Sequence, residues 1–196
     1  MFYDAVKNDH GFQYDPFKAI VTPRPIAWVS TLSGAGQANL APYSFFNAFA
    51  QAPHYIAFGS GPRKDSMRNI EETGEFAVNL ATFALKDQMN ASSAHVKTDE
   101  FELAGLTKAP CRLIRPPRVA ESPACLECRL YQIVPLPADD GTAEDFLIIG
   151  RVLGIHIDDR YIHDGRVDTA AMQPIARLGY SEYATVSEVW RMRRPD

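Results

Sequence analysis

Hydrophobic positions in the first third of the chain fall in short β-branched runs and show no helical period. Ala19–Val21 and Ile26–Thr31 are two such runs, and Pro23 and Pro25 between them predict an edge or a bend. Ser33-Gly34-Ala35-Gly36 carries turn chemistry, so Ile26–Thr31 and a strand near Gln37–Leu40 are expected to form a hairpin. Tyr55–Phe58 is a compact strand closed by Gly59-Ser60-Gly61-Pro62. The pattern then changes: Asp65 or Ser66 can cap a helix, Met67 and Ile70 share one face, and Gly74 stops it. Phe76–Leu80 reads as the next strand and residues 83–94 as a second helix ending near Ser92-Ser93. A short helix is expected around Asp99–Leu103, stopped by Gly105. Leu126–Val134 and Phe146–Ile157 are long strands joined by a loop rich in Pro, Asp and Gly. Gly150 and Gly154 mark bulges or bends in the second of them. Many strands, few helices and frequent Pro/Gly corners favour a mainly β barrel with helical excursions over a doubly wound sheet.

Composition narrows this further. With 196 residues and 46% hydrophobic content the chain is long enough to bury a core as a single domain. A formal net charge of −4 argues against nucleic acid as a partner. No apolar run is long enough to cross a membrane, and the N-terminus has no signal-peptide pattern. Three cysteines, Cys111, Cys125 and Cys128, do not make a disulfide framework, and a reducing cytoplasm is the expected setting.

Four segments have the residue types for chemistry. Gly34-x-Gly36 begins like a dinucleotide fingerprint, but Asn39 stands at the third Gly and Leu40-Ala41-Pro42 cannot open a helix, so a hairpin turn is the better reading. Arg63-Lys64-Asp65-Ser66 follows a Gly-Pro corner at a predicted helix start, with Arg68 and Asn69 one turn on. Such a segment offers a phosphate its N–H groups, a hydroxyl and cations; taken alone it also reads as a capped, solvated helix start. Asn39 through Asn47 mixes aromatic residues with amides and Pro42. That mixture suits a flat heteroaromatic ligand, and equally an aromatic core segment. Cys125-x-x-Cys128 has metal-site spacing, but on a strand the two thiols face opposite ways, and buried small hydrophobes are expected. His10, His54, His95, His156 and His163 show no ligand spacing.

Taken in order, Arg24-Pro25-Ile26-Ala27-Trp28-Val29-Ser30-Thr31, Asn39-Leu40-Ala41-Pro42-Tyr43-Ser44-Phe45-Phe46, Lys64-Asp65-Ser66 with Asn69, and Gly74-Glu75-Phe76-Ala77-Val78-Asn79 resemble the flavin reductase-like family. Phe101–Leu106, Pro117–Pro123, Leu126-Glu127-Cys128 and Arg177-Leu178-Gly179-Tyr180 extend the resemblance from about Tyr14 to Tyr183. It points to the branch with flavoredoxin and the reductases of two-component monooxygenases. The resemblance implies a six-stranded split barrel that binds FMN non-covalently, as a homodimer with the flavin near the subunit interface. It implies hydride transfer from NADH or NADPH to FMN, with a monooxygenase or other electron acceptor downstream; an electron carrier without nicotinamide turnover is the alternative. Carried onto this chain, Ser30, Thr31, Asn39, Ala41, Pro42, Tyr43, Ser44 and Phe46 would line the flavin and its ribityl chain. Ser44, Arg63, Lys64, Asp65 and Ser66 would hold the phosphate, supported by Asn69. Ser66 replaces the family's Thr and keeps the hydroxyl. The single domain is expected to carry an N-terminal arm over residues 1–13 and a basic C-terminal tail over 186–196.

Overall fold

The computed structural model describes residues 1–94, 98–142 and 144–195, so His95 lies outside the described residues. Seven strands form one antiparallel sheet: β1 (Ala27–Leu32), β2 (Ala38–Tyr43), β3 (Phe46–Gln51), β4 (His54–Ser60), β5 (Glu75–Leu80), β6 (Ala124–Leu136) and β7 (Asp145–Ile157). Their order is β2-β1-β5-β6-β7-β4-β3.

This order forces curvature. β2 and β3 are the two edges of the sheet, yet only Ser44 and Phe45 separate them in sequence. In a flat seven-stranded sheet the edges would lie roughly 29 Å apart, at about 4.8 Å per strand. The three Cα steps from Tyr43 to Phe46 span at most about 11 Å. The sheet therefore curls until its edges nearly meet, and the linker joins β4 through a Gly59 N–H to Phe45 carbonyl bond of 2.7 Å. No ladder pairs β2 with β3 among the described residues. The ladder count is seven strands where the resemblance implied six.

Strand alternation sorts side chains to the two faces. Ala27 and Val29 of β1 join Ile56, Phe58, Phe76, Val78, Cys128 and Ile148 in a core enclosed by the curl. Ile26 and Trp28 point the other way, into a second core with Leu40, Leu85, Met89 and Phe101. Helix α1 (Phe17–Ile20) precedes the sheet, and α2 (Asp65–Thr73) follows β4. The shared face expected for Met67 and Ile70 of α2 is real: both enter the enclosed core. Gly74 ends α2 with φ 72°, and its N–H donates to the Ile70 carbonyl at 2.8 Å. Beyond β5, the helix expected over 83–94 is a 3₁₀ turn followed by α3 (Lys86–Ala91). Helix α4 (Glu100–Leu103) is capped by the Asp99 carboxylate, which accepts from the Phe101 N–H at 3.0 Å.

Two expectations are corrected. Ala19–Val21 is not a strand, because its residues belong largely to α1, where the Asp15 carboxylate accepts from the Phe17 N–H at 2.8 Å. Ile20 is 78% exposed, so the apolar run has no sheet face to join. The aromatic segment after Tyr43 does not form core throughout: it enters β3, whose residues Asn47 to Gln51 are all exposed. Cys125 and Cys128 do sit in different buried clusters, as their spacing on β6 requires. Among the described residues no helix is long and apolar enough to cross a membrane.

Candidate functional site

The start of α2 is built by two hydrogen bonds that tie it to the β1–β2 hairpin. Asn69 Nδ2 donates to Thr31 Oγ1 at 3.0 Å, and Asn39 Nδ2 donates to Ser66 Oγ at 2.8 Å. The helix carries no side-chain cap; Lys64, in extended backbone, occupies the cap position. Neither Asp65 nor Ser66 caps it, contrary to expectation. Asp65 is drawn sideways into an ion pair with Arg68, and the Ser66 hydroxyl is engaged by Asn39. The first-turn N–H groups of the helix therefore remain open to a ligand.

A cleft of about 370 Å³ lies against this helix start. It brings together Asn39, Ala41, Pro42, Tyr43, Arg63, Lys64, Asp65 and Ser66 from the expected set. Asn69 lines an adjoining cleft of about 670 Å³, together with Asn39 and Asp65. Ser44 and Phe46 line a third and larger cleft that shares Pro42, Tyr43 and Lys64 with the first. Ser30 and Thr31 line none of these. Both are fully buried, with Ser30 Oγ donating to the Pro117 carbonyl and Thr31 holding Asn69. Their side chains lie behind the cleft wall.

The cations of the helix start are not equivalent. Arg63 Nε donates to Glu71 Oε2 at 3.0 Å, and Arg68 pairs with Asp65. Lys64 makes no ion pair among the described residues. Asp65 and Glu71, both on α2, thus oppose two of the three cations.

Four cleft residues were not anticipated: Ser92, Ser93, Ala94 and Glu100. Glu100 is buried, and its Oε2 accepts from the Leu40 N–H at 3.1 Å. Burial pushes its carboxyl above the usual range; the Leu40 hydrogen bond opposes this, and nearby Asp99 and Asp65 add to it. An acidic residue in the first turn of a short helix read only as a helix start, so no sequence signal marked it. Ser92 is held by Trp28, whose Nε1 donates to Ser92 Oγ at 2.9 Å. Burial also raises the Tyr43 phenol; the Ser66 and Ser60 hydroxyls pull it back, while Asp65 and Glu100 push it further up. The cleft thus joins the half-buried Tyr43 phenol, a helix N-terminus without a side-chain cap and a lysine with no ion pair among the described residues.

Comparison with known proteins places the chain. Residues 20–171 match the family profile described as flavin reductase like domain. An uncharacterized protein of Halalkalibacterium halodurans is 38% identical over 183 residues, which cover 89% of this chain and 87% of that one. The crystal structure of nitrilotriacetate monooxygenase component B from Bacillus cereus superposes with a TM-score of 0.86 at 31% identity, covering 94% and 96% of the two chains. Pseudomonas fluorescens 2-nitrobenzoate 2-nitroreductase superposes with a TM-score of 0.88 at 27% identity, covering 100% and 96%.

Proposed function

This chain belongs to the flavin reductase-like family, and from that membership we propose that it binds FMN non-covalently and reduces it with NADH or NADPH. The observation that carries the reading is Lys64, a cation with no ion pair among the described residues at an uncapped helix start, beside a cleft walled by Pro42 and the half-buried Tyr43. A phosphate fits there because it takes both the open N–H groups and the lysine charge.

In this reading Lys64 and the first-turn amides of α2 hold the phosphate. Arg63 lends charge by leaving Glu71, since exposed ion pairs of that kind contribute little. Asn39, Ala41, Pro42 and Tyr43 line the ribityl chain and the polar edge of the ring, and Ser44 and Phe46 extend the wall towards the larger cleft. Thr31, Asn69 and the Asn39–Ser66 bond keep the helix start in register, and Ser30 fixes the strand behind it. Bound FMN would supply the two-electron acceptor, so the protein's part is binding, orientation and exclusion of water, with no general acid or base required. We place the flavin near the interface of a homodimer, with the exposed strand β3 as the interacting edge. The likeness to a monooxygenase component supports an oxygenase as consumer of the reduced flavin.

The test is the visible spectrum of the purified protein, FMN titration, and NADH and NADPH oxidation with and without added FMN. Stimulation by FMN with either nicotinamide is the expected result. FMN that stays bound without nicotinamide oxidation would select an electron carrier, and absence of FMN binding would overturn the flavin reading.

A further inference from the structure

The cysteines take no part in the site described above, and two of the three meet elsewhere. Cys111 packs against a small buried cluster of Ala77, Ile114 and Cys125. This cluster lies on the face of β5 and β6 turned away from the enclosed core. The Cys111 thiol is hydrogen-bonded to that of Cys125. Cys128 is directed the other way, into the enclosed core.

The backbone explains the meeting. Glu127 stands two positions from Cys125 on the same face of β6 and is 5% exposed. Its Oε1 accepts from the Arg112 N–H at 2.9 Å and its Oε2 from the Leu113 N–H at 2.6 Å. These charge-assisted bonds fix residues 112 and 113 to β6 and set the preceding residue, Cys111, over Cys125. The far end of the segment is anchored as well. Ala109 pairs with Arg118, and the Pro117 carbonyl accepts from Ser30 Oγ.

The two thiols differ in access. Cys125 is 1% exposed, whereas Cys111 is half-buried. The Cys111 hydrogen bond and then burial push the Cys125 thiol up. Cys111 is therefore the sulfur that meets a reagent from solvent, and Cys125 the one that resolves the product. His156 pairs with Cys125 across the β6–β7 ladder, which puts both side chains on one face. Burial, then Arg118 and Arg112, lower the His156 pKa, so a neutral imidazole stands by Cys125.

We propose that Cys111 and Cys125 form a reversible dithiol–disulfide pair, oxidised by small external disulfides, RSSR. The Cys111 thiolate attacks one sulfur of RSSR; an S–S bond forms and RS⁻ leaves. The Cys125 sulfur then attacks Cys111, giving up its proton to His156, and a second RS⁻ leaves. Two protein thiols lose two electrons and two protons, and one RSSR becomes two RSH.

The experiment incubates the reduced full chain with 2-hydroxyethyl disulfide, alkylates it in denaturant with iodoacetamide and maps the peptides by mass. The reduced chain should carry a label on all three cysteines and the oxidised chain on Cys128 alone, with Cys111 and Cys125 linked. Dithiothreitol should restore all three labels. Cys125→Ala is expected to stop at the mixed disulfide on Cys111. Cys111→Ser is expected to slow thiol loss at least about tenfold. The wild-type map needs no variant, so it decides even where a variant fails to fold. Four results would each overturn the proposal: three labelled cysteines after prolonged exposure, a bridge to Cys128, a bridge between chains, or reaction at Cys125 ahead of Cys111. Neither flavin nor nicotinamide is added, so the outcome stands whether or not the chain binds FMN.

Discussion

Lys64 and Glu100 face the same cleft with opposite charge, and each can be tested by removing that charge. Lys64→Ala removes the one cation of the helix start without an ion-pair partner. It is expected to weaken FMN binding by about 1–3 kcal/mol, the range for a charge-assisted hydrogen bond. Riboflavin, which lacks the phosphate, should lose almost nothing in the same fluorescence titration; equal losses would remove Lys64 from the phosphate site. Glu100 acts in the other direction. Its pKa in the folded chain lies above the unfolded value because burial disfavours the charged form. The stability it contributes is therefore fully present below the unfolded pKa, about 4.3, and is lost as pH rises through the folded one. Glu100→Gln keeps an acceptor for the Leu40 N–H and cannot ionise. Thermal melts should show the variant more stable than the parent at pH 7, with the gain shrinking towards pH 4. A gain of the same size at both pH values would mean that ionisation of Glu100 is not the cause.

At the scale of the element, the long β6–β7 hairpin carries a comparable test. The ladder shifts register between Ile149 and Gly150 and again between Val152 and Gly154, where sequence reading put bulges. A Cβ on Gly150 would lie 2.3 Å from Phe76 Cζ, inside the enclosed core. Gly150→Ala is therefore expected to cost about 1–3 kcal/mol of stability, by denaturant unfolding. Adding Phe76→Leu should recover part of the loss, and a fully additive double variant would show that the two positions do not share the strain. The glycines were legible because a missing side chain has a local reason. So were α2, with Gly74 behind it, and the strands whose apolar runs enter a core. Strand β3 was not legible: Asn47 to Gln51 are exposed, so no buried pattern marked it, and Phe46-Asn47 read as a ligand wall. Helix α1 was missed because the Asp15 side chain decides the backbone there against β-branched Ile20 and Val21. Among the site residues, those on β2 and at the start of α2 line one cleft, with Asn69 in the cleft beside it. Ser30 and Thr31 do not, because strand alternation and the Asn69 bond turn them inward, and that depends on tertiary contacts.

For the molecule as a whole, a net charge of −4 says little about the site, because the sum hides where single cations such as Lys64 sit. The exposed apolar surface is distributed just as unevenly. Strand β3 is an unpaired edge with Phe49 67% exposed, and such an edge invites pairing with another chain. The two-residue linker from β2 makes this edge continuous with the cleft wall at Pro42 and Tyr43. A second copy docked on β3 would therefore also press on the proposed flavin site. Binding and association are then coupled: each should strengthen the other by the same factor, since linkage is reciprocal. The expected result is that flavin-loaded protein, diluted in steps, releases flavin over the same concentration range in which sedimentation shows dimer giving way to monomer. Added FMN should shift that range to lower protein concentration. Flavin retained by a monomer, or a dimer whose dissociation ignores FMN, would separate the two and confine the site to one chain.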